Sequence, residues 1–439
     1  MAKPLVAIVG KPNVGKSTFF NRISGERISI VKDVPGVTRD RLYADAEWCG
    51  KAFTMVDTGG LELKSDDEMW RHIKKQAEIA IETADVIIFF TDVKTGINSN
   101  DEEVALKLKK SGKPVVLAVN KMDNYRPELL YEYYNLALGE PFGISAEHGV
   151  GIGDLLDEVV SHFADKEYED DSETLKIAVV GKPNSGKSSL CNKLLGQERT
   201  IVSNVAGTTR DAIDSRFELN GKAYTLIDTA GIRKKRSVDE DIEYYSVLRA
   251  FAAIRRADVC VMMIDSEIGI TEQDLKILGY IHEQGKPSVV CMNKWDLIDK
   301  DTFTINKFEA NLKEELKFMD YFRSIYVSAK TGLRTEKIIA LAEEVYESAS
   351  MRVSTGKLND MIIDAVRMNE PPSYKGKRLK IMYCSQVSVR PPVFVFFVND
   401  ISLLHFSYKR YLENEIRRAF GFSGTPIRII VREQEKNDD

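Results

Sequence analysis

The stretch "GKPNVGKSTFFN" at Gly10–Asn21 returns almost unchanged as "GKPNSGKSSLCN" at Gly181–Asn192. The offset is 171 residues, and residues 5–61 slide onto 176–232 without a gap. Along that match "GVTRD" lies over "GTTRD" and "GKAFTMVDTGG" over "GKAYTLIDTAG". The offset then drifts. "NKMD" (120–123) and "NKWD" (293–296) differ by 173, and "SAE" (145–147) and "SAK" (328–330) by 183. Short loop insertions account for the drift. A period this long is a duplicated domain, not a solenoid repeat.

Within each copy, apolar runs of strand length alternate with helical patterns. "PLVAIVG", "AFTMVDT", "ADVIIFFTD" and "PVVLAVN" read as buried strands, and a helix begins near Lys16. "GIGDLLDEVVSHF" puts Ile152, Leu155, Leu156, Val159, Val160 and Phe163 on one helical face. Such alternation predicts an α/β fold: a mostly parallel sheet with helices on both faces. The acidic stretch "DKEYEDDSE" (165–173) reads as a linker between a first domain, 1–164, and a second, 174–350. From 351 to 439 the pattern changes to α-β-β-α-β, a smaller α/β module. Its first helix, "KLNDMIIDAVRM", turns Leu358, Met361, Ile362, Ala365 and Val366 inward.

Composition narrows the classes. Of 439 residues, 43% are hydrophobic and 29% charged, the balance of a globular domain protein. Runs such as "VIIFF" and "VFVFFV" are far too short to span a bilayer, and the amino terminus lacks a signal-type apolar segment. The five cysteines and five histidines show no metal-ligand spacing. A cytoplasmic monomer with no membrane partner is expected. The formal net charge of −5 hides an asymmetry: residues 351–432 carry 14 Lys+Arg against 6 Asp+Glu. A basic module on an acidic body suits a polyanionic partner, though a solvated surface has the same composition.

The duplicated stretch fits G-x-x-x-x-G-K-[ST] between a strand and a helix. In that context backbone N–H groups and the helix N-terminus face an anion. The expected phosphate cradle is Gly10, Asn13, Val14, Gly15, Lys16, Ser17 and Thr18, and again Gly181, Asn184, Ser185, Gly186, Lys187, Ser188 and Ser189. Lys16 and Lys187 would reach the β/γ-phosphates. Ser17 and Ser188 would ligate Mg²⁺, which Asp57 and Asp228 of "DTGG" and "DTAG" would hold through water. Thr38 and Thr209 would close over the metal and γ-phosphate, and the N–H of Gly60 or Gly231 would meet that phosphate. Lys16, Thr38 and Gly60, with Lys187, Thr209 and Gly231, are therefore the candidate catalytic groups.

Base choice rests on "NKMD" and "NKWD". A carboxylate at Asp123 or Asp296 can accept both the N1–H and the exocyclic amine of guanine, a pair that adenine does not present. A buried acceptor rejects the wrong base because it would be left unpaired. Asn120, Lys121, Asp123, Ser145 and Ala146 make the first guanine set. Asn293, Lys294, Asp296, Ser328, Ala329 and Lys330 make the second. Leu61 and Ile232 stand where many switch GTPases carry a water-orienting Gln, so hydrolysis must be slow or draw on another group.

The series "GKPNxGKS…TRD…DTxG…NKxD", written twice along one chain, resembles the Der (EngA) family of bacterial GTPases. That family has two consecutive GTP-binding domains and a C-terminal KH-like domain. The resemblance covers essentially the whole chain. It implies a GTP/GDP switch in maturation of the large ribosomal subunit, with the KH-like domain on ribosomal RNA. It also implies K⁺ stimulation through a P-loop asparagine, here Asn13 and Asn184. The first copy departs from the pattern at Glu147, where the second has Lys330. In the last domain "GFSG" (421–424) resembles the backbone-clamping loop of KH domains, yet no second helix follows it. A helix C-cap at Gly421 is the alternative. "YKGKRLK" (374–380) and "RKKR" (233–236) are further candidate RNA contacts. The competing function is an RNA-binding scaffold in which one nucleotide site is mainly structural. A tRNA-modifying or membrane-associated relative lacks support, since the sequence reads without a cofactor-binding domain ahead of the first loop and without an amphipathic basic membrane helix.

Overall fold

A computed structural model of the chain describes residues 4–25, 43–57, 73, 77–78, 80–124, 126–163, 174–196, 214–227, 242–371, 373–374 and 377–433. It divides into two compact units, Met1–Asp171 and Ser172–Asp439. The stretch read as a linker, 165–173, lies outside the described residues.

The first unit holds a sheet ordered β2-β3-β1-β4-β5-β6. The strands are β1 (Leu5–Gly10), β2 (Tyr43–Trp48), β3 (Lys51–Asp57), β4 (Val86–Asp92), β5 (Val115–Asn120) and β6 (Pro141–Gly143). All pairings are parallel except β2 with β3. The unbroken apolar runs follow from burial on both faces. Val6 and Ile8 of β1 join Val86, Ile88 and Phe90 of β4 in one core, against the helices Lys16–Gly25 and Ile152–Ser161. Ala7, Val9, Ile87 and Phe89 enter the opposite core, against the helix Ser99–Lys110. Ile8 is fully buried, so Ile8→Ala would cost about 2–5 kcal/mol. The face expected from the "GIGDLLDEVVSHF" pattern is buried at all six positions.

The second unit repeats this sheet strand for strand as β8-β9-β7-β10-β11-β12. Its strands are β7 (Leu175–Val180), β8 (Ser215–Leu219), β9 (Lys222–Ile227), β10 (Val259–Asp265), β11 (Ser288–Asn293) and β12 (Arg323–Tyr326). Both copies close the edge hairpin with two left-handed residues, Cys49-Gly50 and Asn220-Gly221, the backbone that a tight type I′ turn requires. In both, the first strand has neighbours on either side (β3 and β4, β9 and β10). The loop leaving it therefore opens at the point where the strand order reverses, the usual ligand crevice of such sheets.

The remainder of the second unit is the small α/β module. Helices Thr355–Met368 and Phe406–Phe420 pack with a sheet of β15 (Ile381–Ser388), β16 (Val393–Val398) and β17 (Arg428–Glu433). A hairpin of β13 (Ser373–Tyr374) and β14 (Lys377–Arg378), overlapping the "YKGKRLK" stretch, lies between the first helix and β15. Among the described residues, the α-β-β-α-β reading lacks this hairpin and the short 3-10 turn Ile401–Leu403. The "GFSG" loop does not stand open to solvent as a backbone clamp would. Gly421 ends its helix, donating to Arg417 O at 2.8 Å, and Phe422 is 1% exposed, edge-on to Phe394. Gly424 donates to Tyr321 O and accepts from Ser288 N, both at 2.8 Å. A Cβ at Gly424 would come within 2.2 Å of Val345 Cγ1. Arg417 lies 4.4 Å above the Tyr321 ring and donates to Phe422 O and Thr425 O. The loop fastens the module to the second α/β domain, where the close backbone approach at Gly424 requires glycine.

Candidate nucleotide sites

Each copy turns from its first strand into a compact loop around a lysine. Lys16 Nζ donates to Gly10 O at 2.7 Å and Lys11 O at 2.5 Å. Lys187 Nζ repeats this with Gly181 O at 2.7 Å and Lys182 O at 2.6 Å. Burial pulls both ammonium groups down to about 8, with Asp57 opposing at Lys16 and Cys191 and Asp274 opposing at Lys187. A desolvated cation held by two carbonyls at a helix N-terminus suits a polyanion. Asn13 and Asn184 are exposed and left-handed, with φ of 64° and 61°. Gly15 and Gly186 are also left-handed, and a Cβ there would lie 2.1 and 2.0 Å from the amides of Asn120 and Asn293. No other residue fits.

Ser17 Oγ donates to Asp57 Oδ2 at 2.7 Å, so a hydroxyl and a buried carboxylate converge beside Lys16. Two hard oxygen donors suit a small divalent cation. Thr18, Ser188 and Ser189 are exposed at the start of their helices. Val14 and Ser185 are buried beneath the loops. Thr38, Gly60, Thr209, Asp228 and Gly231 lie outside the described residues, as do Leu61, Ile232 and the "RKKR" run.

The base-choice loops close onto this frame. Asn120 Nδ2 donates to Val14 O at 2.6 Å while its Oδ1 accepts from Ala146 N at 2.8 Å. Asn293 does the same between Ser185 O and Ala329 N, at 2.8 and 2.9 Å. One buried amide thus ties the P-loop to the "SAx" loop in each copy. Asp123 Oδ1 accepts from Ser145 Oγ at 2.9 Å, and Ser145, helped by Lys94 and His148, holds that carboxyl below its usual range. Ser328, with Lys330 and Lys300 nearby, lowers Asp296 in the same way. Both carboxylates stay ionised acceptors at neutral pH.

Asp92, Asp265 and Arg22 escaped the sequence reading. Lys121 and Lys294, left-handed at φ 65° and 60°, pair with buried Asp92 at 2.6 Å and Asp265 at 2.5 Å. Each aspartate ends an otherwise apolar strand, "VIIFFTD" and "VCVMMID"; that contrast, in both copies, was the available signal. Arg22, on the helix after the first loop, donates from Nε to Ala146 O at 2.8 Å and also reaches Glu147 O. It fixes by backbone contact the loop whose Glu147 broke the pattern.

A family model described as 50S ribosome-binding GTPase matches residues 5–121 and again 176–294. A second, described as KH-domain-like of EngA bacterial GTPase enzymes, C-terminal, matches residues 352–432. GTPase Der of Ruminiclostridium cellulolyticum is 57% identical over 441 residues, covering 100% of both chains. GTPase Der of Acetivibrio thermocellus is 55% identical over 439 residues, covering 99% of this chain and 100% of its own. GTPase Der of Desulfitobacterium hafniense is 56% identical over 438 residues, covering 99% of each. With both repeats, the C-terminal module and the full length matched, the chain belongs to the Der (EngA) family of GTPases.

Proposed function

We propose that the chain binds GTP at two sites, hydrolyses it to GDP and phosphate, and uses the resulting states to govern maturation of the large ribosomal subunit in the cytoplasm. The observation that carries this reading is the doubled frame: in each copy one buried asparagine joins the P-loop to the "SAx" loop. In this reading the P-loop amides and Lys16 or Lys187 hold the phosphates. Asp123 or Asp296 accepts from guanine, and the amide of Ala146 or Ala329 donates to its carbonyl. Asn120 and Asn293 keep the two ends of the nucleotide in register.

Ser17 with Asp57, and Ser188 with Asp228, would hold Mg²⁺, with Thr38 and Thr209 completing each set. The cation neutralises charge on the β/γ-phosphate oxygens when bound. Asn13 and Asn184 offer exposed amide oxygens for K⁺, whose charge would serve where Leu61 and Ile232 cannot orient water. Faster turnover in K⁺ than in Na⁺ at equal ionic strength is the check; equal rates at both sites would remove K⁺ from the account.

The basic 351–432 stretch, built onto the second domain, is the proposed reader of RNA phosphates. Cosedimentation of the full chain with large subunits tests the switch. Binding should be tighter with a non-hydrolysable GTP analogue than with GDP and should weaken with salt. Equal binding in both nucleotide states would leave only the RNA-binding scaffold.

A further inference from the structure

The helix Ser99–Lys110 begins with a capping box: Asn98 Oδ1 accepts from Asp101 N at 3.0 Å, and Asn98 N donates to Asp101 Oδ2 at 3.2 Å. Such a box needs only a carboxylate or amide at the helix end, and solvent is its ordinary setting. Here the Asp101 side chain is 3% exposed, and its Oδ2 also pairs with Lys11 Nζ. Lys11 is the second residue of the P-loop, and its carbonyl is one of the two that receive Lys16 Nζ.

The second copy repeats the arrangement with different capping chemistry. Thr271 N and Oγ1 donate to Asp274 Oδ2 at 3.0 and 2.7 Å. Asp274 is fully buried, Lys182 Nζ stands 3.9 Å from the same oxygen, and Lys182 O receives Lys187 Nζ. Asp274 Oδ1 has no hydrogen-bond partner among the described residues. Burial raises both carboxyls above their usual range, against the pull of Lys11 at Asp101 and of Thr271 and Lys182 at Asp274. A cap alone gives no reason to bury a carboxylate. A lysine that must be held does.

We propose that Asp101 and Asp274 are positioning residues of the two P-loops: each draws the Lys11 or Lys182 side chain inward, so that this residue presents its carbonyl to Lys16 or Lys187. The inference rests on reading these loops as phosphate-binding. Without the carboxylate, the freed lysine remains cationic beside the phosphates and sustains binding. Lys16 or Lys187 loses one of its two carbonyl anchors. A small misplacement of a group that stabilises transferring charge lowers turnover more than affinity. The expected signature is a fall in kcat with KM nearly unchanged.

The test uses the full chain with the second site silenced by Lys187→Ala, so that GTP hydrolysis reports the first. Asp101→Asn keeps an oxygen for the Asn98 N–H and removes the charge that holds Lys11. It should lower kcat about tenfold while KM moves less than threefold. Lys11→Met, which leaves the cap intact but removes the cation, should give a similar fall in kcat together with a higher KM, and kcat in the double variant should fall little further. Melting curves identify any variant that fails to fold; Lys11→Met then carries the test by itself. An unchanged kcat in Lys11→Met, or losses that simply multiply in the double variant, would overturn the inference. Absence of nucleotide binding in the parent Lys187→Ala chain would instead overturn the phosphate-binding reading, and the inference with it. Asp274→Asn in a Lys16→Ala chain is the matching measurement at the second site.

Discussion

At the fifth residue of the loop, Val14 of the first domain joins the core around Phe19 and Phe90. In the second domain Ser185 is equally buried, and its hydroxyl finds no hydrogen-bond partner among the described residues. The frame tolerates the exchange because Asn120 and Asn293 bond to the main-chain carbonyl at this position, whatever the side chain. Around Asp123 and Asp296 the copies differ again. Lys94 stands 3.3 Å from Asp123, while Glu147 occupies the "SAx" loop. The second domain has Glu267 at the place of Lys94 and Lys330 at the place of Glu147. Lys94 N and Glu267 N make the same bond, to Asp92 Oδ1 and Asp265 Oδ1. Each site therefore keeps lysine charge near its carboxylate, Lys94 in the first and Lys330 with Lys300 in the second. What is held constant is backbone geometry and local charge, not the residue at a given position.

If the sites are equivalent in chemistry, they must respond alike to the same change. The largest effect should come from the base acceptors. Asp123→Asn and Asp296→Asn should each shift their own site from guanine to xanthine nucleotides by on the order of 100-fold, since the amide can donate where the carboxylate accepted. Binding of GTP and XTP to each variant measures this. A variant with unaltered GTP affinity would mark its site as something other than guanine-selective.

A smaller effect should follow pH. Phosphate binding calls for a protonated lysine, and burial has lowered Lys16 and Lys187 from 10.5 to about 8. Below pH 8 the ammonium is present before nucleotide arrives. Above it, binding must take up a proton, so GDP affinity should fall by up to about tenfold per pH unit. The two sites should titrate together. A decline confined to one would show that the second loop is not the first loop repeated.

The smallest effect concerns the exchanged core residue. Ser185→Val removes a buried, unpaired hydroxyl and should stabilise the second domain by about 1 kcal/mol, while Val14→Ser should destabilise the first by at least as much. Thermal or urea unfolding of the full chain would detect both. Loss of stability in Ser185→Val would mean that the hydroxyl has a partner after all.

The parts legible in the sequence were those set by local chemistry. The strand–loop–helix around Lys16 and the apolar face of Ile152–Phe163 each follow from residues close together in the chain. What stayed hidden depends on neighbours far along it. Nothing near Asp101 or Asp274 announces a lysine that lies about ninety residues upstream in the chain. Arg22 reads as an ordinary helix residue until Ala146 O is beside it. "GFSG" has the same local pattern as a nucleic-acid clamp or a helix cap. Contact of Gly424 with Tyr321 and Ser288 decides between them, and no periodicity encodes that contact.

Calorimetric titration of the nucleotide-free chain with GDP tests the central claim, two working sites on one chain, most directly. Two GDP should bind per chain, falling to one in either Lys16→Ala or Lys187→Ala and to none in the double variant. A single GDP per wild-type chain, or loss of both sites from one substitution, would contradict it.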